Sequence, residues 1–114
     1  MKLFNKLKGD AGEKRAAKYL KKQKYKILEK NYKNYGGELD IIAKSGDVTV
    51  FVEVKTRTDN TFGFASEAVD FKKQQKIKSA ANFYMQKHNI NQVRFDVIEI
   101  YIKSGELNHI INAF

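Results

Sequence analysis

Apolar and polar residues alternate through VTVFVEVKTR, Val48 to Arg57: Val48, Val50, Val52 and Val54 fall on one side of an extended chain, Thr49, Phe51, Glu53 and Lys55 on the other. That period of two predicts a strand. GELDIIAK, Gly37 to Lys44, precedes it across the turn Ser45-Gly46-Asp47, so the two runs form a hairpin. An earlier strand is read in YKILEKNYK, Tyr25 to Lys33, with Asn34 to Gly37 supplying its turn. The β-branched run VRFDVIEIYIK, Val93 to Lys103, is a later strand; Ser104-Gly105-Glu106 turns the chain into a last one at Leu107 to Asn112. Helical spacing occurs twice. From Asp10, DAGEKRAAKYLKKQK carries an apolar face of Ala16, Ala17 and Leu20, with Asp10 as N-cap and Glu13 three residues on as in a capping box. Lys73 to Lys87 has Ile77, Ala80, Ala81 and Tyr84 on one face and lysines on the other. Residues 58 to 65, TDNTFGFA, hold turn formers without a steady period and read as a loop.

The order is therefore helix, three strands, helix, two strands. A helix between the third and fourth strands is long enough to cross one face of a sheet and add a strand parallel to its partner. The expected fold is α/β (α+β), a small mixed sheet flanked by helices, and the 114 residues are one domain, 1–114, too few for two cores. With 42% hydrophobic residues the chain can bury such a core. The absence of Cys excludes a disulfide framework and a thiolate metal site. MKLFNKLKGD has no apolar run of signal-peptide length, and no segment approaches a membrane span, so the expectation is a cytoplasmic protein with no membrane partner.

Charge narrows the partners. Twenty-two Lys and Arg against thirteen Asp and Glu give a formal net charge of +9, which suits a polyanion such as nucleic acid. Lys2, Lys6 and Lys8 and the group Lys72, Lys73, Lys76 and Lys78 are candidates for contacts with flanking phosphates, although lysines on helices are also ordinary solubilising residues. Phe62 and Phe64 either pack against the domain or stack on an opened base. His88 and His109 are isolated, lack a matched set of ligands and receive no role.

The informative acids lie in the hairpin. A two-residue turn at Gly46-Asp47 sets Asp40 opposite Glu53 and Glu38 opposite Lys55. Directly opposed side chains have Cβ atoms about 4.5–5.5 Å apart, and like charges so placed destabilise a sheet. Two carboxylates in that position call for a cation, and oxygen-only ligation completed by water is what Mg²⁺ prefers, or Mn²⁺ in its place. Against this, Glu53 and Lys55 can be a solvated pair on an edge strand, Glu38 can simply partner Lys55, and Glu13 can be a cap.

Taken together, GEKRAAKYL, GELDIIAK, FVEVKTR and RFDV resemble the YraN-like family of small bacterial proteins, which is similar to the archaeal Holliday-junction resolvases and belongs to the PD-(D/E)XK nuclease superfamily. The likeness runs from about Gly9 to Ile102 and rests on the spacing from Asp40 to Glu53-Val54-Lys55. It implies a restriction-endonuclease-like αβββαβ core and a metal-dependent, structure-selective endonuclease acting on DNA at junctions, flaps or single strands. In that reading Asp40 and Glu53 bind Mg²⁺ or Mn²⁺, Glu13 joins them or caps its helix, and Lys55 orients the attacking water. Lys72, Lys73, Gln74, Lys76 and Arg57 are the expected nucleic-acid contacts, and a homodimer would suit a two-fold junction. The proline of the superfamily's name is missing: Leu39 stands before Asp40. Asp96 in RFDV is expected to be a structural hydrogen-bonding acid, with Arg57 or Lys55 as the groups it could orient. The other readings are a non-catalytic nucleic-acid-binding module and a basic scaffold protein on the same fold.

Overall fold

The computed structural model describes residues 2–57 and 69–114, with side chains from Asp10 onward. Its elements are α1 (Lys2–Lys22), β1 (Lys26–Asn34), β2 (Gly37–Ser45), β3 (Val48–Arg57), α2 (Phe71–His88), β4 (Val93–Tyr101) and β5 (Leu107–Ile110). One sheet runs in the order β1-β2-β3-β4-β5, parallel between β3 and β4 and antiparallel elsewhere. The single parallel pair follows from the α2 crossover, as the element order predicts. This is a mixed α/β fold with the αβββαβ order of a restriction-endonuclease-like core.

Alternation on β3 sorts the core into two layers. Val50 and Val52 join Ala16, Ala17 and Leu20 of α1, with Ile41, Ala43, Ile98 and Ile100, on one side of the sheet. Phe51 faces the other way and meets Ile77, Ala80, Ala81 and Tyr84 of α2. There it stacks on Phe95, which stacks in turn on Phe114. Both sheet faces are covered over their middle, so a polar group on β3 is desolvated unless it lies towards a strand end.

Several boundaries differ from the periodicity, and the following have a visible cause. Helix α1 begins at Lys2, so Asp10 lies inside it, caps nothing, and forms no capping box with Glu13. The reason is propensity: residues 2–8 contain no Pro or Gly, and Gly9 alone is too weak a breaker to stop a helix. Helix α2 starts at Phe71 because Asp70 is its cap, its side chain accepting from the Lys73 amide at 2.8 Å. Strand β4 stops at Tyr101, with the Gly105 amide donating back to the Tyr101 carbonyl. Strand β5 ends at Ile110, since Asn112 turns the chain with φ 59° and gives its amide to Asp96. The expected loop at 58 to 65, with Phe62 and Phe64, lies outside the described residues, as do the side chains of Lys2, Lys6 and Lys8.

The β1–β2 turn is tied to α2. Asn34 accepts the Gly36 amide at 2.8 Å with its side-chain oxygen and donates its side-chain nitrogen to the Ala80 carbonyl at 2.9 Å. A Cβ on Gly36 would stand 2.6 Å from the backbone carbon and oxygen of Ser79, atoms that a helix cannot move aside. Gly36→Ala is therefore expected to destabilise the fold by about 1–3 kcal/mol, the usual cost of forced overpacking. Urea unfolding midpoints measure it, and an unchanged midpoint would mean that the turn is not pressed on the helix.

Candidate active site

Strands β2 and β3 pair from Ser45↔Val48 to Ile41↔Val52, the register set by a two-residue loop. The next positions out are Asp40 and Glu53, and there the ladder stops. The Val54 amide donates instead to Asp40 Oδ2 at 2.9 Å. Side-chain alternation slips at the same point, since Leu39 and Ile42 both pack in the α2 layer while Ile41 lies in the α1 layer. Strand β2 thus turns away from β3 at Asp40, and the carboxylate takes the donor that a backbone carbonyl would otherwise serve.

Glu53 is buried, 8% exposed, and its carboxyl lies within hydrogen-bonding reach of Asp40. Burial first and the Asp40 charge second push its pKa from 4.5 to about 8. Lys73 Nζ, on the first turn of α2, stands 3.4 Å from Glu53 Oε1, and being more than half exposed it opposes the shift without cancelling it. Asp40 is raised by burial, against the pull of the Val54 amide and the Glu53 hydrogen bond. The two carboxyls are one titrating unit that retains a proton near neutrality.

Glu13 approaches from α1. The helix comes close over the outer half of β3 because Gly12 has no side chain where Thr56 Cγ2 lies. Glu13 is half-buried, and its pKa is raised by burial and then by Asp40, while a hydrogen bond from Asn31 lowers it. Asn31 stands between Lys30 and Tyr32, the partners of Ile41 and Leu39, and so lies opposite Asp40, with φ 52°. Glu13, Asn31, Asp10 and Lys30 line an open cavity of about 430 Å³. Asp40 is therefore flanked by Glu53 in the sheet and Glu13 from the helix. Among the described residues no three acids or histidines are grouped closely enough to hold one metal ion, so the close unit is the pair Asp40–Glu53. Sequence reasoning missed Asn31; its signal is an Asn inside a strand, a residue type that tolerates a left-handed backbone.

Lys55 shares a sheet face with Glu53 and is exposed. Arg57, next on that face, is held by Glu99, its Nε donating to Oε2 at 2.8 Å. Glu99 is fully buried and also accepts from Tyr101 at 3.2 Å and Asn108 at 3.3 Å, so the Arg57 guanidinium is anchored in the fold rather than free on the surface. Lys72 and Lys76 are exposed on α2, and Gln74 donates to the Val69 carbonyl at 3.0 Å, bracing the start of the helix. Asp96 is a structural acid as expected, but it orients neither Arg57 nor Lys55. It lies fully buried on β4, bound by Arg94 through two nitrogens at 2.8 Å, by His109 Nε2 at 2.7 Å and by the Asn112 amide at 3.0 Å. Those bonds outweigh burial and hold its carboxyl at about 2.

The αβββαβ sheet, with Asp40 where β2 leaves β3 and Glu53-Val54-Lys55 opposite it, defines a PD-(D/E)XK-like domain. The chain belongs to the family described as Uncharacterised protein family UPF0102, the YraN family, whose model matches residues 12–100. It is 53% identical over 112 residues to a UPF0102 protein of Clostridioides difficile (strain 630), covering 96% of this chain and 98% of that one. A UPF0102 protein of Caldanaerobacter subterraneus subsp. tengcongensis is 52% identical over 120 residues, covering 99% and 98%. One of Clostridium beijerinckii is 46% identical over 121 residues, covering 100% and 98%. Among the described residues no helix is long and apolar enough to cross a membrane.

The pH dependence of stability follows from Glu53. Its folded pKa lies above the unfolded value, so between 4.5 and about 8 the folded state binds the extra proton. Stability of the metal-free protein from this group is full below 4.5 and is lost as pH rises through about 8. Denaturant midpoints at pH 5 and pH 8.5 should fall with rising pH, and Glu53→Gln should flatten most of that decline. An equal decline in the variant would place the proton elsewhere.

Proposed function

We propose that this protein is a metal-dependent endonuclease that hydrolyses phosphodiester bonds in DNA and selects its substrate by shape. One observation carries the reading: two buried carboxyls, Asp40 and Glu53, lie side by side where β2 parts from β3, each shifting the other's titration, with Lys55 two residues beyond Glu53 on the same face. A structural role does not call for such a pair, because both acids are raised by burial and the Asp40 charge adds to the cost of ionising Glu53. A divalent cation offsets that cost. The donor set fits Mg²⁺ or Mn²⁺, which take one or two carboxylates and complete their coordination with water.

In this reading Asp40 and Glu53 would hold the ion, and Glu13, whose charge interacts with Asp40, would support it from α1. The ion supplies Lewis-acid polarisation of the phosphoryl oxygen and a water of lowered pKa. Asp40 is kept in position by the Val54 amide, so the acid does not have to be ordered when substrate arrives. Lys55 contributes fixed positive charge where negative charge develops on the phosphate. Exposed Lys72 and Lys76 bind flanking phosphates without regard to sequence.

The deciding experiment is cleavage of labelled four-way junction, flap, single-stranded and duplex DNA with Mg²⁺, Mn²⁺ or EDTA, wild type against Glu53→Ala. Metal-dependent cutting that disappears in the variant supports the nuclease and names its preferred shape. DNA binding by wild type without any cutting would favour a non-catalytic module on the same fold. Lys55→Ala is expected to keep metal affinity and to lose about 10²-fold or more in cleavage rate, and full activity would remove it from the chemistry. Asp40→Asn is expected to weaken Mg²⁺ or Mn²⁺ binding in a calorimetric titration while DNA affinity holds or rises. An unchanged metal titration would take Asp40 out of the site.

A further inference from the structure

Tyr35 is the most exposed large hydrophobic side chain among the described residues, 99% accessible, at the tip of the β1–β2 hairpin. Exposure alone is unremarkable, since loop tips often carry an idle side chain. The backbone beneath it is not idle. Asn34, immediately before it, closes the turn on the Gly36 amide and reaches to the Ala80 carbonyl of α2, and Gly36, immediately after it, is pressed against Ser79. The two residues flanking Tyr35 are thus anchored to a helix while the ring itself stands in water. A rigid mount under an aromatic ring lowers the ordering cost of any contact the ring makes, the property that suits tyrosine to recognition surfaces.

Position says what that contact is. From Gly36 to Asp40 is four strand residues, about 13 Å. Along α2, Ser79 under the turn is six residues from Lys73 at Glu53, about 9 Å. Exposed Lys72 and Lys76 lie on that stretch of helix, and exposed Lys33 is on β1 beside the turn. An aromatic face one short step from a carboxylate pair, with cations around it, matches a strand of nucleic acid whose bases are open: phosphates on the lysines and one base on the ring. A paired duplex offers no such base except at its ends.

We propose that Tyr35 is a stacking platform for an unpaired nucleobase, so that the substrate class of the Asp40–Glu53 site is single-stranded or branched nucleic acid rather than continuous duplex. This rests on the nucleic-acid-binding part of the proposed function. It does not depend on turnover.

The test is fluorescence-anisotropy binding of labelled oligothymidylate, a four-way junction and a blunt duplex by wild type, Tyr35→Ala and Tyr35→Phe, over a range of salt. Tyr35→Ala is expected to lose about 5- to 150-fold in affinity for the single strand, the range for removing one base–aromatic stack. Duplex affinity should change less than twofold, and the slope of log K against log salt should stay the same because no charge is removed. Tyr35→Phe, which keeps the ring, should bind like wild type. An equal loss on duplex, no loss on any DNA, or a Phe variant as weak as Ala overturns the proposal, as does a wild type that binds none of the three. Cleavage is scored separately with Glu53→Ala. A protein that stacks the single strand through Tyr35 but never cuts would remove the hydrolase reading and leave this one, whereas metal-dependent cutting with binding indifferent to Tyr35→Ala would do the reverse.

Discussion

The Val54 amide takes Asp40 Oδ2 as its acceptor where the β2–β3 ladder ends, and the candidate site follows from that bond. A buried donor cannot be left unpaired without a cost of about 1–3 kcal/mol, so the acid is required by the backbone as well as by any chemistry. Because β2 turns away at that residue, its carboxylate lies in the gap between the strands instead of on one face. From there it meets Glu53 in the sheet and feels Glu13 from α1. Among the described residues every buried side-chain nitrogen or oxygen has a hydrogen-bond partner, so the crowding of acids arises in a fold whose other polar groups are satisfied.

The two helices divide the work. Helix α1 lies close over β3 at Gly12 and brings Glu13 to the cavity that Asn31 of β1 also lines. Helix α2 delivers Lys73 to Glu53 at its first turn and braces the β1–β2 hairpin at Ser79 and Ala80. One rigid helix therefore links the cation at the carboxylate pair to the exposed tyrosine at the tip. The apolar half of each face supplies the rigidity, Phe51 against Tyr84 in one layer and Val50 with Leu20 in the other.

A second polar network sits on the other side of β4. Asp96, its carboxyl held at about 2, accepts from His109 Nε2, and His109 Nδ1 is hydrogen-bonded to the Tyr19 hydroxyl at 3.0 Å. Arg94 binds the same carboxylate and reaches Tyr25 at 2.7 Å. One acid thereby joins β4, β5, α1 and the start of β1. The network accounts for the acid of RFDV as a structural anchor, and for His109, which has no neighbouring ligand type in the sequence.

Periodicity and turn length determined the element order, the two faces of β3, the parallel β3–β4 pair implied by a crossover helix, and the β2–β3 register that carries Asp40 and Glu53 to the end of the ladder. These are local properties: a two-residue loop sets a register, and a period of two or 3.6 sets a face. Tertiary structure decided what depends on residues far apart in the chain. Asp10 looks like a cap because a sequence window shows an acid before an apolar face, but helix propensity upstream extends α1 past it. Arg57 looks free because Glu99 is 42 residues away. Asn31 joins the site only when β1 lies against β2 and α1 crosses both, and Tyr35 is a mounted ring instead of a loop residue only because α2 passes beneath its turn. Burial, which raises Glu53 to about 8, belongs to the same class: a strand's sequence shows that one face carries an acid, but only the packed layers decide how little water reaches it.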